Sequence, residues 1–358
     1  MTRRLRRGFT RRRFLTGTSA AAVGLTFLPY AARGQEEKTL NFYNWDTYIG
    51  ETTLDDFREA TGIEVQMDLY ADNDELFAKL REGNPGYDVI VPTNDYVERM
   101  IAAGMVVELD HDKIPNIGNI EERFLDGAFD PGRKYSLPYM WGTIGIGYST
   151  ERVSGTPDSW KLLYDSDELS GRISLLGEAS DVIGMGLKYL GHSLNTTDPA
   201  HYKQAEELII AQKRHIKVFA PDNGQDLLAS GEVDACQEWN GDIAQLMTED
   251  DTVSYAVPKE GAMLWQDCLC IPTDAPHAEN AHAFINYIFD AEAGAAIADF
   301  IQYASPNAAA RALLGDEYNQ NPAIFPPDEV IAKCEPILYL GEDLIRLIDE
   351  TWTRIEAA

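Results

Sequence analysis

Strand-like and helix-like segments alternate along this chain from residue 40 onward, and no other feature limits the possible folds as strongly. The first five segments read strand, helix, strand, helix and strand, over residues 40–43, 53–60, 63–67, 74–81 and 87–92. The last of them is apolar throughout, which is typical of a strand buried on both faces. This order predicts an α/β lobe around a mostly parallel sheet.

A second alternating series begins near residue 144. Its predicted strands cover residues 144–148, 171–176, 231–236, 254–258 and 269–272, and its predicted helices cover 182–190, 205–212 and 279–289. Since no repeat or low-complexity linker separates the two series, we expect the chain to cross more than once between two α/β lobes with a cleft between them. The predicted lobes are residues 35–142 with 266–309, and residues 143–265 with 310–358.

Residues 1–34 have the layout of an export signal. They carry eight arginines and no acidic residue, and the string at residues 10–15 resembles a twin-arginine signal. The apolar run that follows, residues 16–28, is too short to span a bilayer as a mature helix. Cleavage before Gln35, or after Ala32, would release a protein that is not embedded in the membrane.

The remaining chain is strongly acidic. It has 22 Lys and Arg against 59 Asp and Glu, a formal net charge of −37. Nucleic acids and anionic membrane surfaces would repel such a body, and its field favours cationic partners.

Motifs for catalysis and for metal binding are missing from the sequence. There is no GxGxxG opening a helix, no Walker-type loop, no GxSxG and no HExxH, so we expect no enzyme. The four cysteines are Cys236, Cys268, Cys270 and Cys334, and they form no CxxC pair, so we predict no metal and no cofactor. Three disulfide pairings stay open, although Cys268 and Cys270 share one face of a predicted strand and should not bridge each other.

Acidic residues, most of them beside aromatic ones, recur at five predicted strand ends and loops. The five stretches are Trp45-Asp46-Thr47-Tyr48, Thr93-Asn94-Asp95-Tyr96, Glu178-Ala179-Ser180-Asp181, Trp239-Asn240-Gly241-Asp242 and Trp265-Gln266-Asp267. Because ligands of open α/β sheets bind beyond the carboxyl ends of the strands, we expect these stretches to meet in one site. Carboxylates in a closing cleft need a cationic ligand, and aromatic faces attract ammonium groups and cover aliphatic spacers. No stretch contains arginine, so the pattern favours an elongated cation with amines separated by methylenes.

Several motifs together resemble one family, the periplasmic polyamine-binding proteins of ABC importers, of the spermidine/putrescine-binding type. The motifs are Phe42-Tyr43-Asn44-Trp45-x-x-Tyr48-Ile49, Tyr87-Asp88-Val89-Ile90-Val91-Pro92, Trp239-Asn240-Gly241-Asp242, Pro258-Lys259-Glu260-Gly261 and Ser305-Pro306-Asn307-x-Ala309-Ala310-Arg311. The resemblance extends from about residue 40 to the C-terminus. It implies the two-lobed, type II solute-binding fold, and a monomeric periplasmic protein that closes around a polyamine and delivers it to ABC permease subunits.

The resemblance also implies roles for single residues. The implied aromatic walls are Trp45, Tyr48, Trp239, Trp265 and Tyr303. The implied amine-binding acids are Asp267 for one terminal amine, Glu178 and Asp181 for the other end, and Asp242, with Asp46 and Asp95 as further candidates. Thr93 falls where the family often has a serine that hydrogen-bonds an amine, and Glu335 is a candidate for a polar ligand near the C-terminus. The choice between putrescine and spermidine stays open, partly because Asp95 replaces an aromatic residue of one branch.

Two other functions fit parts of the sequence. The ligand could be another cationic or zwitterionic amine, such as a betaine or an amino-acid conjugate, and a carboxylate on it would require an arginine in the cleft. The chain could also be a secreted hydrolase that uses two of its clustered acids.

Overall fold

The computed structural model describes residues 36–220 and 223–358, so the predicted export signal lies outside the described residues. Residues 36–358 form one compact unit. Within its described part, no helix is long and apolar enough to cross a membrane.

Nine β-strands are present in the described residues. They are β1 Thr39–Asn44, β2 Glu64–Leu69, β3 Val89–Ile90, β4 Ser136–Ser149, β5 Ile173–Leu176, β6 Ile216–Ala220, β7 Ala235–Trp239, β8 Val253–Ala256 and β9 Leu264–Cys270. The strands predicted in the first series are confirmed, although β3 is much shorter than the apolar run that predicts it. In the second series, β4 begins at Ser136, eight residues before the predicted start, and β6 has no counterpart among the predictions.

Fourteen α-helices accompany these strands in the described residues. They are α1 Thr53–Thr61, α2 Asn73–Arg81, α3 Asn94–Ala103, α4 Lys161–Tyr164, α5 Ala179–Tyr189, α6 Pro199–Gln212, α7 Gly224–Ala229, α8 Asn240–Glu249, α9 Ala278–Ile288, α10 Ala291–Ile301, α11 Ala308–Arg311, α12 Asp316–Asn319, α13 Asp328–Ile331 and α14 Glu342–Ala357. Helix α1 ends at Gly62, which takes the left-handed conformation that favours glycine, with φ of 73°.

The strands form a mixed sheet in the order β2-β1-β3-β9-β4-β7-β5-β6, with β8 beside β4. Parallel pairing joins β1 to β2 and β3, and β5 to β6 and β7. All pairings of β4 and β9 are antiparallel. The expectation of a mostly parallel sheet therefore holds for the two flanks and is wrong for the middle, where two connecting strands run against their neighbours.

Strand β4 connects the two halves of the sheet. Residues 136–143 of β4 pair with β9, and residues 144–149 pair with β7 and β8. All fourteen residues of β4 are buried. The predicted lobe limits at 142/143 and 265/266 fall inside β4 and β9, close to the point where β4 changes partners, and they stay predictions.

Aromatic packing fixes the first half around β1. The ring of Phe42 on β1 lies 5.1 Å from that of Phe284 on α9, and Phe57 on α1 lies 5.1 Å from the same Phe284 ring. All three side chains are fully buried. Because β1 is held in this way from one face, the loop that follows it has a defined starting point.

Candidate functional site

A large cavity lies between the loop after β1 and helices α7 and α8, with β9 at its floor. Its volume is about 320 Å³. Its lining residues are Trp45, Asp46, Thr47, Tyr48, Asn73, Thr93, Gln225, Asp226, Ala229, Trp239, Asp242, Gln245, Leu246, Glu249, Trp265, Asp267 and Tyr303. Five of these are carboxylates or carboxamides on α7 and α8, and none of the lining residues is a lysine or an arginine.

Nine of the twelve predicted site residues line this cavity. They are Trp45, Asp46, Tyr48, Thr93, Trp239, Asp242, Trp265, Asp267 and Tyr303. The other three, Asp95, Glu178 and Asp181, are not part of its lining. Most of the residues that the sequence pattern predicts therefore lie around one cavity, although they come from both halves of the sheet.

Hydrogen bonds hold the loop after β1 against its own half. The Asn44 side chain donates to the Tyr48 carbonyl at 3.0 Å, which closes the loop. The Trp45 indole N–H donates to the Val91 carbonyl at 2.9 Å, and its ring lies 4.6 Å from that of Tyr70. Since the indole N–H of Trp45 is already bonded, its contribution to the cavity is an apolar face.

Three further aromatic rings form a connected edge-to-face series along the cavity. The centroids of Trp239 and Trp265 are 5.9 Å apart with planes at 88°, and those of Trp265 and Tyr303 are 5.2 Å apart with planes at 71°. Tyr303 in turn lies 5.2 Å from Tyr48 at 87°. This packing fixes the orientation of each ring that forms the walls.

The Asp267 carboxylate on β9 is the most constrained acid of the cavity. Thr93 donates its hydroxyl to Asp267 Oδ1 at 2.8 Å, and the Asn73 amide donates to the Thr93 hydroxyl at 2.9 Å. Asn73 also accepts the Thr93 backbone N–H at 3.1 Å. Because Thr93 is oriented from two sides, it fixes the position of the carboxylate.

The charge of Asp267 is not balanced inside the protein. Its side chain is buried, and burial raises the pKa of the carboxyl to about 7, with interactions from Thr93 and Tyr48 opposing this rise and the nearby Asp95 adding to it. None of the groups that act on this carboxyl is basic. A cation in the cavity would therefore meet a carboxylate that has no basic partner among the groups acting on it.

Asp242 offers a second acid at the opposite wall. It lies in the first turn of α8, and burial raises the pKa of its carboxyl to about 6, while an interaction with Tyr303 lowers it and the charge of Asp226 raises it further. The preceding residue, Gly241, lies directly beneath the Tyr303 ring, where any side chain would overlap that ring. Glycine is thus required for Tyr303 to reach α8.

Several lining residues were not predicted from the sequence. On α8, Gln245 and Glu249 follow Asp242 at spacings of three and seven residues, and Gln225 and Asp226 on α7 face them across the cavity. The spacing on α8 places all three side chains on one helical face, a signal that helical periodicity could have revealed had α8 been predicted as a helix. Asn73 was also missed, because its role depends on a contact with Thr93 twenty residues away.

A second, smaller cavity of about 80 Å³ contains two of the three remaining acids. Asp95 in the first turn of α3 and Glu178 at the start of α5 both line it, together with Arg99, whose guanidinium bonds Glu342 at 3.0 and 3.2 Å. Burial raises the pKa of Asp95 to about 7; the backbone of α3 lowers it, Asp74 raises it and Arg99 lowers it.

Asp181 lies next to this second cavity and interacts with Glu178. Burial raises the pKa of Asp181 to about 7, and burial together with the charge of Asp181 raises the pKa of Glu178 well above its usual range. Asp95 contributes to the rise at both residues. One carboxylate oxygen of Asp181, a residue only 2% exposed, has no hydrogen-bond partner.

Three positions differ from the local structure that the sequence suggested. Trp265 and Asp267 lie within β9 itself, not in a loop before it, and Asp181 lies within α5. The first two differences arise because β9 starts five residues before its apolar part, and the third because α5 starts at Ala179, three residues before its predicted start. Glu335, the candidate polar ligand near the C-terminus, lines neither cavity; it pairs with Lys188 at 2.6 Å and accepts the Ser193 hydroxyl.

The cysteines are all free thiols, and three of them, Cys236, Cys268 and Cys270, are buried. Over residues 36–220 and 223–358, no group of three or more His, Cys, Asp or Glu side chains is arranged to hold a metal ion. The polar lining of the larger cavity consists mainly of carboxylates, carboxamides and aromatic rings, whereas that of the smaller cavity consists mainly of carboxylates, tyrosines and Arg99.

These features define a class of protein. The chain belongs to the family of bacterial extracellular solute-binding proteins, whose family model matches residues 52–326. Members of this family are solute-binding proteins of transport systems, and the two-lobed α/β fold described above is theirs.

The names of its relatives specify the bound solute, which the family description does not. The chain is 34% identical to a putrescine-binding periplasmic protein of Pseudomonas aeruginosa, covering 91% of this chain and 94% of that protein. It is also 34% identical to a spermidine/putrescine-binding periplasmic protein of Salmonella typhimurium, covering 96% and 98%. Among solved structures, a spermidine/putrescine ABC transporter substrate-binding protein of Streptococcus pneumoniae superposes with a TM-score of 0.78 at 30% identity, covering 90% and 99%.

Proposed function

We propose that this chain is a periplasmic binding protein that captures a polyamine in the cleft and delivers it to the permease of an ABC transporter. The observation that carries the proposal is Asp267, a buried carboxylate without a basic partner at the floor of a cavity walled by Trp239, Trp265 and Tyr303. The relatives named above support it, since their names specify putrescine and spermidine.

The cavity suits a linear polyamine for physical reasons. An ammonium group at Asp267 would form a charge-assisted hydrogen bond and would restore the ionised state that burial disfavours. The methylene chain would lie against the aromatic faces, which bind both apolar surface and cationic charge. Asp242 on the opposite wall, with Asp226 and Glu249 beyond it, would receive a further ammonium group.

A ligand that carries a carboxylate fits this cavity less well. The described lining of the larger cavity has no lysine or arginine to bind an anionic group, and it has five acids that would repel one: Asp46, Asp226, Asp242, Glu249 and Asp267. This favours a polyamine over an amino-acid conjugate. As part of the same proposal, the protein binds its ligand without converting it and is not an enzyme.

To capture the ligand, the two halves would move relative to each other about the strands that connect them. Strands β4 and β9 would act as the hinge, with lobes close to residues 35–142 with 266–309 and 143–265 with 310–358, and the closed form would be recognised by the permease. The chain would act as a monomer in the periplasm after export by the twin-arginine route and removal of residues 1–34.

A thermal-shift panel on ligand-stripped protein tests the proposal. Putrescine, cadaverine, spermidine and spermine should raise the melting temperature in a concentration-dependent manner, because a ligand that binds only the folded state stabilises it by mass action. Betaine and the basic amino acids should have little effect. A shift with betaine or an amino acid and none with any polyamine would contradict the proposal.

A further inference from the structure

Two tyrosines line the larger cavity, Tyr48 and Tyr303, and the backbone of each is held by another tyrosine. Tyr139 donates its hydroxyl to the Tyr48 carbonyl at 2.9 Å, and Tyr318 donates its hydroxyl to the Tyr303 carbonyl at 2.5 Å. Both of these supporting tyrosines are buried, and neither belongs to the described lining of the cavity. The tyrosines that face the cavity are therefore oriented by tyrosines that do not.

Tyr139 occupies an irregular position in the sheet. On β4, Pro138 precedes it and Met140 follows it. These two neighbours pair with Cys268 and Asp267, which are consecutive residues of β9. Tyr139 is thus the extra residue of a β-bulge, directly opposite the acid at the floor of the cavity. Because a bulge redirects side chains out of the regular alternation of a strand, Tyr139 can reach the loop after β1.

Ring packing connects Tyr139 to the cavity walls. The centroids of Tyr139 and Tyr48 are 5.2 Å apart with planes at 86°, and those of Tyr48 and Tyr303 are 5.2 Å apart with planes at 87°. Each ring contacts the next edge-to-face, which is an arrangement that aromatic pairs prefer. A displacement of Tyr139 would therefore move Tyr48 and change its contact with Tyr303.

The hydroxyl of Tyr139 contributes more to orientation than to folding. The Tyr48 carbonyl accepts a second hydrogen bond, from the Asn44 amide at 3.0 Å. If the Tyr139 hydroxyl were removed, this carbonyl would keep one partner, and the large penalty for an unpaired buried group would not arise. Two donors on the two lone pairs of one carbonyl fix its direction better than one donor does.

We propose that Tyr139 is a positioning residue for ligand binding, which orients the Tyr48 ring against the bound solute through its hydrogen bond to the Tyr48 carbonyl. This inference rests on the proposed function and adds to it a residue that does not touch the ligand. Without the Tyr139 hydroxyl, the Tyr48 ring would have to be ordered when the ligand binds, and that ordering would reduce the affinity.

Titration calorimetry of Tyr139→Phe with putrescine and with spermidine tests the proposal. This variant removes only the hydroxyl and should weaken the binding of both amines at least about threefold. Tyr202→Phe is the matched control, because Tyr202 on α6 is also buried, donates its hydroxyl to the Thr196 carbonyl at 3.0 Å and lines neither cavity. It should leave both affinities unchanged. Melting curves establish that each variant is folded.

A double-mutant cycle separates positioning from a general effect on the fold. In a Tyr48→Ala background, Tyr139→Phe should change the affinity by less than about 1.5-fold, because the ring through which Tyr139 acts is no longer present. A purely structural role of Tyr139 would instead reduce the affinity by the same factor in both backgrounds.

The outcomes separate this proposal from the one on which it rests. If the wild-type protein binds an amine and Tyr139→Phe binds it as tightly, the positioning role is wrong and polyamine capture stands. Equal losses in the presence and in the absence of the Tyr48 ring also overturn the positioning role. If neither amine binds the wild-type protein, the proposed function fails, and the role of Tyr139 fails with it.

Discussion

At the scale of single residues, the site consists of acids that are costly without a ligand. Asp267 illustrates this, since Thr93 and Asn73 hold the carboxylate in place but no basic group neutralises it. Because the site is rigid, little binding free energy is lost in ordering it. The favourable binding free energy comes from the charge that the ligand supplies.

Replacing Asp267 by Asn should weaken polyamine binding by at least about tenfold, because the variant removes the charge at the floor of the cavity. The fold should be retained, since the amide oxygen can still accept the Thr93 hydroxyl. Titration calorimetry measures the loss, and Asp112→Asn, on an exposed turn, is the control. Unchanged affinity in Asp267→Asn would show that this carboxylate does not bind the ligand.

Removing either tryptophan wall should cost about 1–3 kcal/mol of binding free energy, through lost burial and lost cation–aromatic attraction. The variants are Trp239→Ala and Trp265→Ala. Trp352→Ala provides the comparison, because that ring packs against Phe219 at 5.1 Å, away from the cavity. It should lower the melting temperature without lowering affinity. Near-wild-type affinity in both wall variants would mean that these rings pack in the core and do not bind the ligand.

Polyamine affinity should fall by at least about tenfold between pH 8 and pH 5.5, since binding requires ionised carboxylates. Burial raises the pKa of Asp95, Asp181 and Asp267 to about 7 and of Asp242 to about 6, so all four are largely protonated at the lower pH without ligand. Titrations in two buffers with different ionisation enthalpies should show that binding releases protons. A flat pH profile would contradict the role given to these acids.

The same acids give the stability of the free protein a pH dependence opposite to that of polyamine affinity: stability falls as the pH rises, whereas affinity increases. Their pKa values are higher in the folded state than the value of about 4 expected for an unfolded chain, so the folded state binds more protons between about pH 4 and pH 7. Their contribution to stability is therefore greatest below pH 4 and is lost as the pH rises toward 7. A bound polyamine offsets that loss of stability. The increase in melting temperature that it causes should therefore become larger as the pH rises from about 4 to about 7.

The residues of the site were easier to predict than their surroundings. Trp239, Trp265 and Asp267 could be predicted because each residue type suits a cation and stands in one of the acid-and-aromatic stretches, whereas Tyr303 was predicted only through the resemblance to the family. Asn73, Glu249 and Gln225 could not, because their relevance depends on which surfaces face each other in three dimensions. Asp95 was predicted as a site residue, but its place in a second cavity is a property of the folded chain.

At the scale of elements, the sequence predicted the parallel flanks well and the middle of the sheet poorly. Glycine stops and helical spacing mark α1 and α2, whereas β9 begins with the half-polar string Leu264-Trp265-Gln266-Asp267, which apolar runs do not reveal. Long-range antiparallel pairing with β4 makes that string a strand. Asp267 was therefore assigned to a loop although it belongs to the sheet.

A second element that pattern analysis did not reveal is the C-terminal strap, residues 335–342. At one end it contacts α5 and the following loop, through Glu335 with Lys188 and through Asn195 with the Pro336 carbonyl. Further along it contacts α3, where Asn94 donates to the Ile337 carbonyl at 2.7 Å and Arg99 bonds Glu342 at 3.0 Å. It thus joins elements from both halves beside the smaller cavity.

The buried amide at this junction should matter more for stability than the exposed ion pair near it. Asn94 is 2% exposed and also accepts the Gln266 N–H at 3.1 Å, so Asn94→Ala would leave two buried backbone groups unpaired and should cost about 1–3 kcal/mol of unfolding free energy. Glu342→Gln weakens the pair with Arg99, and because the Glu342 side chain is 57% exposed it should cost less than about 1 kcal/mol. Urea unfolding of both variants measures the difference. A larger loss in Glu342→Gln would reverse this ranking.

At the scale of the whole molecule, the net charge of −37 outside residues 1–34 is much larger than the few acids of the two cavities can account for. Most of it covers the surface, where like charges repel each other and destabilise the compact state. Only the local arrangement of acids and rings makes the site specific for a ligand, and the overall charge attracts cations without discrimination.

Added salt should therefore stabilise the free protein and weaken polyamine binding at the same time. Raising NaCl from about 0.05 M to about 0.5 M shortens the screening length to a few ångströms, which reduces repulsion on the surface and attraction toward the ligand. The melting temperature of the free protein should rise, and the association rate for spermidine in stopped-flow fluorescence should fall. A melting temperature that falls with added salt would show that attractive surface pairs outweigh the repulsion.

The pairing of β4 with β9 has a consequence for a chain that has been cut. Because these strands lie far apart in sequence and are hydrogen-bonded from Ser136 to Thr143, a proteolytic nick anywhere between them leaves both fragments in one sheet, and the strap adds a second connection. A nicked protein should therefore migrate as two bands after denaturation and as one particle in native buffer. Such a molecule lends itself to fragment complementation, in which separately produced pieces regain a complete cleft only when they reassemble.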